Sequence, residues 1–255
     1  MKIAWIPMLL FAGCASAPTL DESRMVDLTW PFDAGTLYWP TSEPFRLERT
    51  AWGASEQGHW YAAARFSAAE HGGTHLDAPV HFASGRRPVD EIPLEQLVGP
   101  ARVIDVRAAC AANRDYAVSP ADIERHEARH GRIPPGAVVL VWTGWGERWP
   151  DARRYLGSAE RGEGVELHFP GLSAAAARLL VQRHVDLVGI DTASLDPGPS
   201  SDFAAHRILL EANVPGLENV ANLERVPELG ATVLVLPMKI AGGSGAPARI
   251  VAFLP

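Results

Sequence analysis

Residues 71 to 82 read HGGTHLDAPVHF and hold three of the chain's nine histidines and an aspartate. The spacing His-x3-His-x-Asp-x3-His restricts the fold more than any other feature of the sequence. Imidazole nitrogens and carboxylate oxygens both suit divalent first-row metals. Such an ion needs several of them to converge, and short spacing makes convergence cheap in chain entropy. Gly72 and Gly73 let the backbone turn tightly between the first two histidines. Pro79 restricts the exit direction. Thr74 is small and able to hydrogen-bond a neighbouring ligand. Two histidines four apart would share a helix face, but the glycines point instead to a turn leading into a short helix. On pattern alone two readings stand: a metal site, or a histidine-rich turn solvated or satisfied by backbone carbonyls.

The remainder of the chain narrows the chemistry. With 255 residues, 47% of them hydrophobic, it can bury one large core or at most two small ones. The formal net charge of -7 offers no basic stripe to offset phosphate repulsion, so a nucleic-acid partner is not expected. Arginine dominates the basic residues; the lysines are Lys2 and Lys239, which leaves Lys239 as the one candidate for a lysine-dependent covalent mechanism. Neither GxxxxGK[ST] nor GxGxxG occurs, so nothing supports a phosphate-cradling loop. GGSGA at 242–246 breaks the GxSxG pattern of a nucleophile elbow, and no histidine follows it. HExxH is absent. Cys110, in RAACAANR, has no local signature of a catalytic thiol and reads as a small packing residue.

The N-terminus reads MKIAWIPMLLFAGCASAPTLDES. A lysine precedes an apolar run from Ile3 to Ala12, too short to span a bilayer but suited to the core of a signal peptide. LFAGC resembles a bacterial lipobox, with Cys14 as the lipidated first residue of the mature chain. The expected organisation is a lipoprotein-type signal peptide over 1–13, a polar tether over 14–24 and a single domain over 25–255. The protein is then exported to the periplasmic side and meets the membrane only through lipid.

Apolar, β-branched runs predict strands near Val26–Trp30, Ala101–Val106, Ala137–Thr143, Asp186–Asp191, Ala231–Pro237 and Ile250–Phe253. Ser119-Pro120 predicts a helix start ahead of ADIERHEARH, Ser173 caps AAAARLLVQRH, and Ser200 or Ser201 caps DFAAHRILLEA. Strands and helices interleave, while the first hundred residues are rich in strand and loop. The fold class is therefore α/β with a mixed sheet.

HGGTHLDAPVHF is similar to the signature of the metal-dependent cyclase-like hydrolases, a family that includes bacterial kynurenine formamidase, isatin hydrolase and some lactone hydrolases. DLTWPFDAGTLYWP at 27–40 resembles its opening strand and aromatic substrate loop, and VGIDTASLDP at 188–197 its central strand and turn. HRILLEANVPGLENV at 206–220 resembles its distal His and Glu segment, and LPMKIAGGSGAPARIVAFL at 236–254 its C-terminal hairpin.

The resemblance implies a swivelling β/β/α fold in one domain, one or two divalent ions, Zn²⁺ or Mn²⁺, and a homodimer or higher homo-oligomer. It implies that His71, His75 and Asp77 hold a first metal. His206 and Glu218 complete a second position, with Asp77 and Glu218 able to bridge. His81 transfers a proton and Trp39 covers an aromatic substrate. Read from the residues alone, His206 belongs to the inward face of its helix, and Glu218, in a loop after Pro215-Gly216, reads as a surface carboxylate. Trp60 and Tyr61 are candidates for the same pocket. His59, His126, His130, His168 and His184 read as structural or exposed.

The implied activity is metal-dependent hydrolysis of a small aryl amide, cyclic amide or lactone. The alternatives are a metal-dependent lyase or cyclase on a carbonyl compound, and a ligand-binding lipoprotein without turnover. Export, together with the long stretch GASEQGHWYAAARFSAAE ahead of the metal motif, argues against N-formylkynurenine and toward isatin-like or lactone substrates. The anchor gives a direct test. Cys14→Ser should release the protein from membranes while leaving the domain folded, because lipid and not a spanning helix holds it there. Continued fractionation with membranes would remove Cys14 as the anchor.

Overall fold

The computed structural model describes residues 21–255, so the expected signal segment and Cys14 lie outside the described residues. The expected tether ends in structure. Glu22–Arg24 forms a 3-10 turn capped by the Asp21 carboxylate, and the Arg24 guanidinium donates to the Leu254 carbonyl.

The strands, in chain order, are β1 (Met25–Asp27), β2 (Arg46–Ala54), β3 (Trp60–Ser67), β4 (His75–Asp77), β5 (Val98–Asp105), β6 (Ala117–Val118), β7 (Val138–Trp142), β8 (Gly171–Leu172), β9 (Leu187–Ile190), β10 (Gly216–Glu218), β11 (Thr232–Pro237) and β12 (Gly245–Phe253). The helices are α1 (Arg107–Ala112), α2 (Pro120–His130), α3 (Ala152–Tyr155), α4 (Ala174–Gln182) and α5 (Ala204–Glu211). The main sheet runs β1-β12-β11-β5-β7-β9-β10-β4. The first part of β12 also pairs with β4, which closes the sheet into a barrel-like ring. β5, β7, β9 and β10 are mutually parallel and joined by helical crossovers; β11, β12 and β4 are antiparallel to their neighbours. The mixed α/β sheet expected from the sequence is thus present.

The parallel strands are apolar on both faces because both are covered. Along β7, Val138 and Leu140 point into the core enclosed by the ring, with Leu76, Val103, Leu187, Leu217 and Ile250. Val139 and Val141 point the other way, into a second core under α2, α4 and α5. The period of two in a strand sorts alternate residues between these cores. A third, aromatic cluster of Trp145, Tyr155, Leu167 and Phe169 lies beneath Trp39.

Helix starts follow the cap chemistry in two of the three predicted cases. Ser119 and Asp122 form a capping box at α2, and the Ser173 hydroxyl accepts from Ala176 N (3.1 Å) at α4. For α5 the expected cap at Ser200 or Ser201 is corrected. The Asp196 carboxylate, from the turn after β9, accepts from Ala205 N (2.7 Å) and His206 N (3.0 Å). Ser200 instead accepts from Phe203 N, holding Phe203 in a left-handed conformation (φ 47°) just ahead of the helix. A cap supplied from a distant turn leaves no local sequence signal.

β2 and β3 form a two-stranded hairpin outside the main sheet, and the long stretch ahead of the metal motif builds its second arm. Leu47, Trp52, Trp60, Tyr61 and Phe66 are all more than half exposed on it. Trp60 and Tyr61 therefore lie away from the pocket they were expected to line.

Candidate metal centre

The motif is a turn, then a strand, then a 3-10 turn. Gly73 has a left-handed backbone (φ 58°), which glycine adopts without steric cost. The expected turn does not lead straight into a short helix: His75–Asp77 comes between them as strand β4, inserted between β10 and β12. Pro79 opens the short 3-10 turn Pro79–His81. Because β4 is covered on both faces, His75 and Asp77 are only 2% and 1% exposed. Thr74 bonds no ligand side chain. Its hydroxyl donates to the carbonyl of Asn219 (2.7 Å), next to Glu218, and accepts from Trp30 N.

Glu218 is not a surface carboxylate. It ends β10 directly opposite His75 in the antiparallel register and is 5% exposed. His206 comes in on α5, whose Leu209 and Leu210 are fully buried on the same face. The five expected ligands converge. His71 Nδ1 is 2.6 Å from Asp77 Oδ1, and His75 Nε2 is 3.2 Å from the same oxygen and 3.5 Å from Glu218 Oε2. His206 Nε2 is 3.2 Å from Asp77 Oδ2 and 3.0 Å from Glu218 Oε1. Asp77 and Glu218 thus each present separate oxygens to different histidines, the arrangement of a bridging carboxylate.

The far nitrogen of each histidine is already held. The Gly73 carbonyl accepts from His75 Nδ1 (3.0 Å) and the Asp196 carboxylate accepts from His206 Nδ1 (2.6 Å). The Ser244 hydroxyl accepts from His71 Nε2 (2.9 Å) while donating to Glu70 (2.5 Å). A neutral ring that donates at one nitrogen presents a lone pair at the other. These bonds therefore turn His71 Nδ1, His75 Nε2 and His206 Nε2 onto the carboxylates as acceptors, as in a carboxylate–histidine–metal arrangement. The sequence reading did not single out Ser244, Glu70 and Asp196, which hold these rings. GGSGA, set aside as a nucleophile elbow, supports a histidine instead.

The electrostatics call for a cation. Burial opposes charge on Asp77, but positive charge shared with the histidines it touches, His75 first, holds its carboxyl well below the usual range; a bound cation would supply that charge and leave the rings neutral. Burial and the charge of Asp77 push Glu218 up. Among the described residues, His75 Nε2 is buried with no hydrogen-bond partner of adequate geometry, an orphan facing two carboxylates. Three imidazoles and two carboxylates around an unpaired nitrogen fit a divalent metal.

His81 stacks on His71 with ring centroids 3.7 Å apart and 17° between planes. A nitrogen of His81 lies within 4.8 Å of donor atoms of His71 and Asp77, so it reaches the centre without pairing to a carboxylate. Burial pulls its pKa down to about 4, against the opposing charge of Asp77. The ring is therefore neutral near pH 7.

Above these groups is a cavity of about 250 Å³. Leu37, Tyr38, Trp39, Phe82, Leu156 and Phe203 wall it; His71, His75, Asp77, His81, His206 and Glu218 line its polar end. Trp39 is in place as expected, packed against Phe169 and Phe203. Phe82 and Phe203 (5.3 Å between centroids) join it in an aromatic wall. Lys239 is exposed and outside the cavity, and Cys110 is buried elsewhere, its thiol pushed up to about 12 by burial.

Ser244→Ala should lower metal affinity about 10–100-fold, the usual effect of removing a hydrogen bond that orients a ligating histidine. Competition with a chromophoric chelator measures it. Unchanged affinity would show that the Glu70–Ser244 pair does not orient His71.

The comparisons with known proteins agree with this geometry. Residues 26–197 match the Cyclase family model. The chain is 33% identical over 194 residues to isatin hydrolase from Roseibium aggregatum, covering 73% of this chain and 72% of that one. It is 29% identical over 231 residues to kynurenine formamidase from Salinibacter ruber, covering 89% and 96%. Isatin hydrolase A from Ralstonia solanacearum superposes with a TM-score of 0.83 at 36% identity, covering 91% of this chain and 92% of that one. With its motif, fold and converged ligands in agreement, the chain belongs to the Cyclase family of proteins.

Proposed function

We propose that this protein is a metal-dependent hydrolase of small aryl amides, with cyclic amides of the isatin type as the foremost substrates. The observation that carries the reading is the set of His71, His75 and His206, each turned by a bond at its far nitrogen onto Asp77 and Glu218, at the end of an aromatic-walled cavity. His71, His75, Asp77, His206 and Glu218 would hold one or two ions. Zn²⁺ and Mn²⁺ are the ions we propose, because imidazole with carboxylate oxygen suits both. When bound, a divalent cation polarises the amide carbonyl and brings the pKa of water toward neutrality.

The chain's own residues do the rest. Trp39, Phe82 and Phe203 stack on the aryl ring and exclude water around the scissile bond. His81, neutral and poised beside His71, takes a proton from the attacking water. It returns that proton to the amide nitrogen as the C–N bond breaks, so water is consumed and a carboxylic acid and an amine are formed. A planar bicyclic amide suits a cavity of this size and wall better than a long flexible amino acid. The relatives named isatin hydrolase and kynurenine formamidase support the same reaction class.

The export reading goes with this proposal, supported by the apolar run ahead of Cys14. So does the homo-oligomer. The exposed aromatic hairpin of β2 and β3 is the kind of surface that marks an interface, and we place the partner copy there. Trp52→Ser combined with Trp60→Ser should reduce the mass seen by light scattering to that of a monomer. An unchanged mass would put the interface elsewhere.

The reaction is tested by supplying isatin, aryl formamides and lactones to protein loaded separately with Zn²⁺ and Mn²⁺, with acid release as readout. Acid from the cyclic amide is expected; substrate loss without acid would favour a lyase. His81→Ala should keep fold and metal but lose about 10²–10⁴-fold in turnover with KM little changed. Loss of metal in that variant would make His81 a ligand. Full activity would sink the proton-transfer role.

A further inference from the structure

A second group of donors lies outside the cavity. α2 carries His126 and His130 one turn apart on the same face, with ring centroids 4.9 Å apart. Glu228 faces them from the segment ahead of β11, pinned by a backbone bond from Val103 N to its carbonyl (3.2 Å). His130 Nε2 is 2.7 Å from Glu228 Oε2, and His126 Nδ1 is 3.6 Å from the same oxygen. One donor atom from each residue lies within 4.8 Å of the others.

His126 is the informative member. It is fully buried, and neither ring nitrogen has a hydrogen-bond partner among the described residues. Native interiors rarely leave a buried imidazole unpaired, because the desolvation cost is not recovered. A proton shared with Glu228 does not resolve this: 3.6 Å is too long for a hydrogen bond, and His130 already occupies that oxygen. Two guanidiniums border the group. Arg129 is half-exposed and 3.7 Å from Glu228, farther than His130, and can turn into water. Arg102 has a buried Nε without a partner.

We propose that His126, His130 and Glu228 form a further binding site for a divalent transition-metal ion of the zinc type, which ties α2 to the segment ahead of β11. The donor set is two imidazoles and a carboxylate, with His130 and Glu228 partly open to solvent as the route in. It shares no residue with the active centre and is independent of the activity proposed above.

Tag-free protein carrying its active-site metal is equilibrated with micromolar Zn²⁺, and bound zinc is counted by mass spectrometry. His130→Ala and Glu228→Gln are treated alike. Wild type is expected to retain one more ion per chain than either variant, and its melting temperature should rise with added zinc where theirs does not. Both variants should keep their turnover. Should His130→Ala fail to fold, Glu228→Gln alone gives the comparison, since it removes charge with little change of shape. Equal zinc counts in wild type and the folded variants would overturn the site.

Discussion

The register of β4 between β10 and β12 is the constraint on which the active centre depends. His75 pairs with Glu218 on one side and Pro247 on the other; Asp77 pairs with Gly216 and Gly245. This brings two proposed ligands of one strand against a proposed ligand of another without any long side chain having to reach. A slip by one residue would turn His75 and Asp77 to the opposite face and bring Leu76, now in the core, to the proposed metal position. The same insertion closes the sheet, so the cluster of side chains depends on the closed ring. Gly245 completes the arrangement. A Cβ there would lie 2.5 Å from the ring of His71, so glycine is needed for that histidine to lie over β12.

Around this frame, the hydrogen bonds set what each imidazole can do. A carbonyl, a serine hydroxyl and a carboxylate take the outer N–H groups of His75, His71 and His206. Asp196 has two duties, since it also caps the helix that carries His206. The start of α5 and the orientation of His206 thus depend on one carboxylate. Asn219 extends the frame: its amide donates to the Gly73 carbonyl that also holds His75 (2.7 Å). These hydrogen bonds link the motif, β10 and the turn after β9.

The aromatic wall has a different origin. Trp39 comes from the opening segment, Phe82 from the end of the metal motif and Phe203 from the strained position before α5. Three segments far apart in sequence contribute one ring each. Phe203 pays for its place with a left-handed backbone uncommon for a bulky residue, and such strain gathers where function requires a particular side-chain direction.

The sequence by itself determined the interleaved strands and helices, the starts of α2 and α4, and the dense motif with His71, His75, Asp77 and His81. These are local signals: apolar period, cap residues and donors a few positions apart. Family resemblance, not periodicity, pointed to His206, Glu218 and Trp39. What only the tertiary structure decided is nonlocal. Glu218 reads as a surface carboxylate until β4 covers it, and Asp196 and Ser244 look like ordinary turn residues until a histidine from another element docks on them. Trp60 and Tyr61 sit near the motif in sequence, yet their hairpin carries them away from the cavity. The fully buried His126 looked like any helix histidine. In each case the deciding quantity is the partner across space, and a one-dimensional pattern encodes residue type and spacing but not which distant strand or turn removes a group from water.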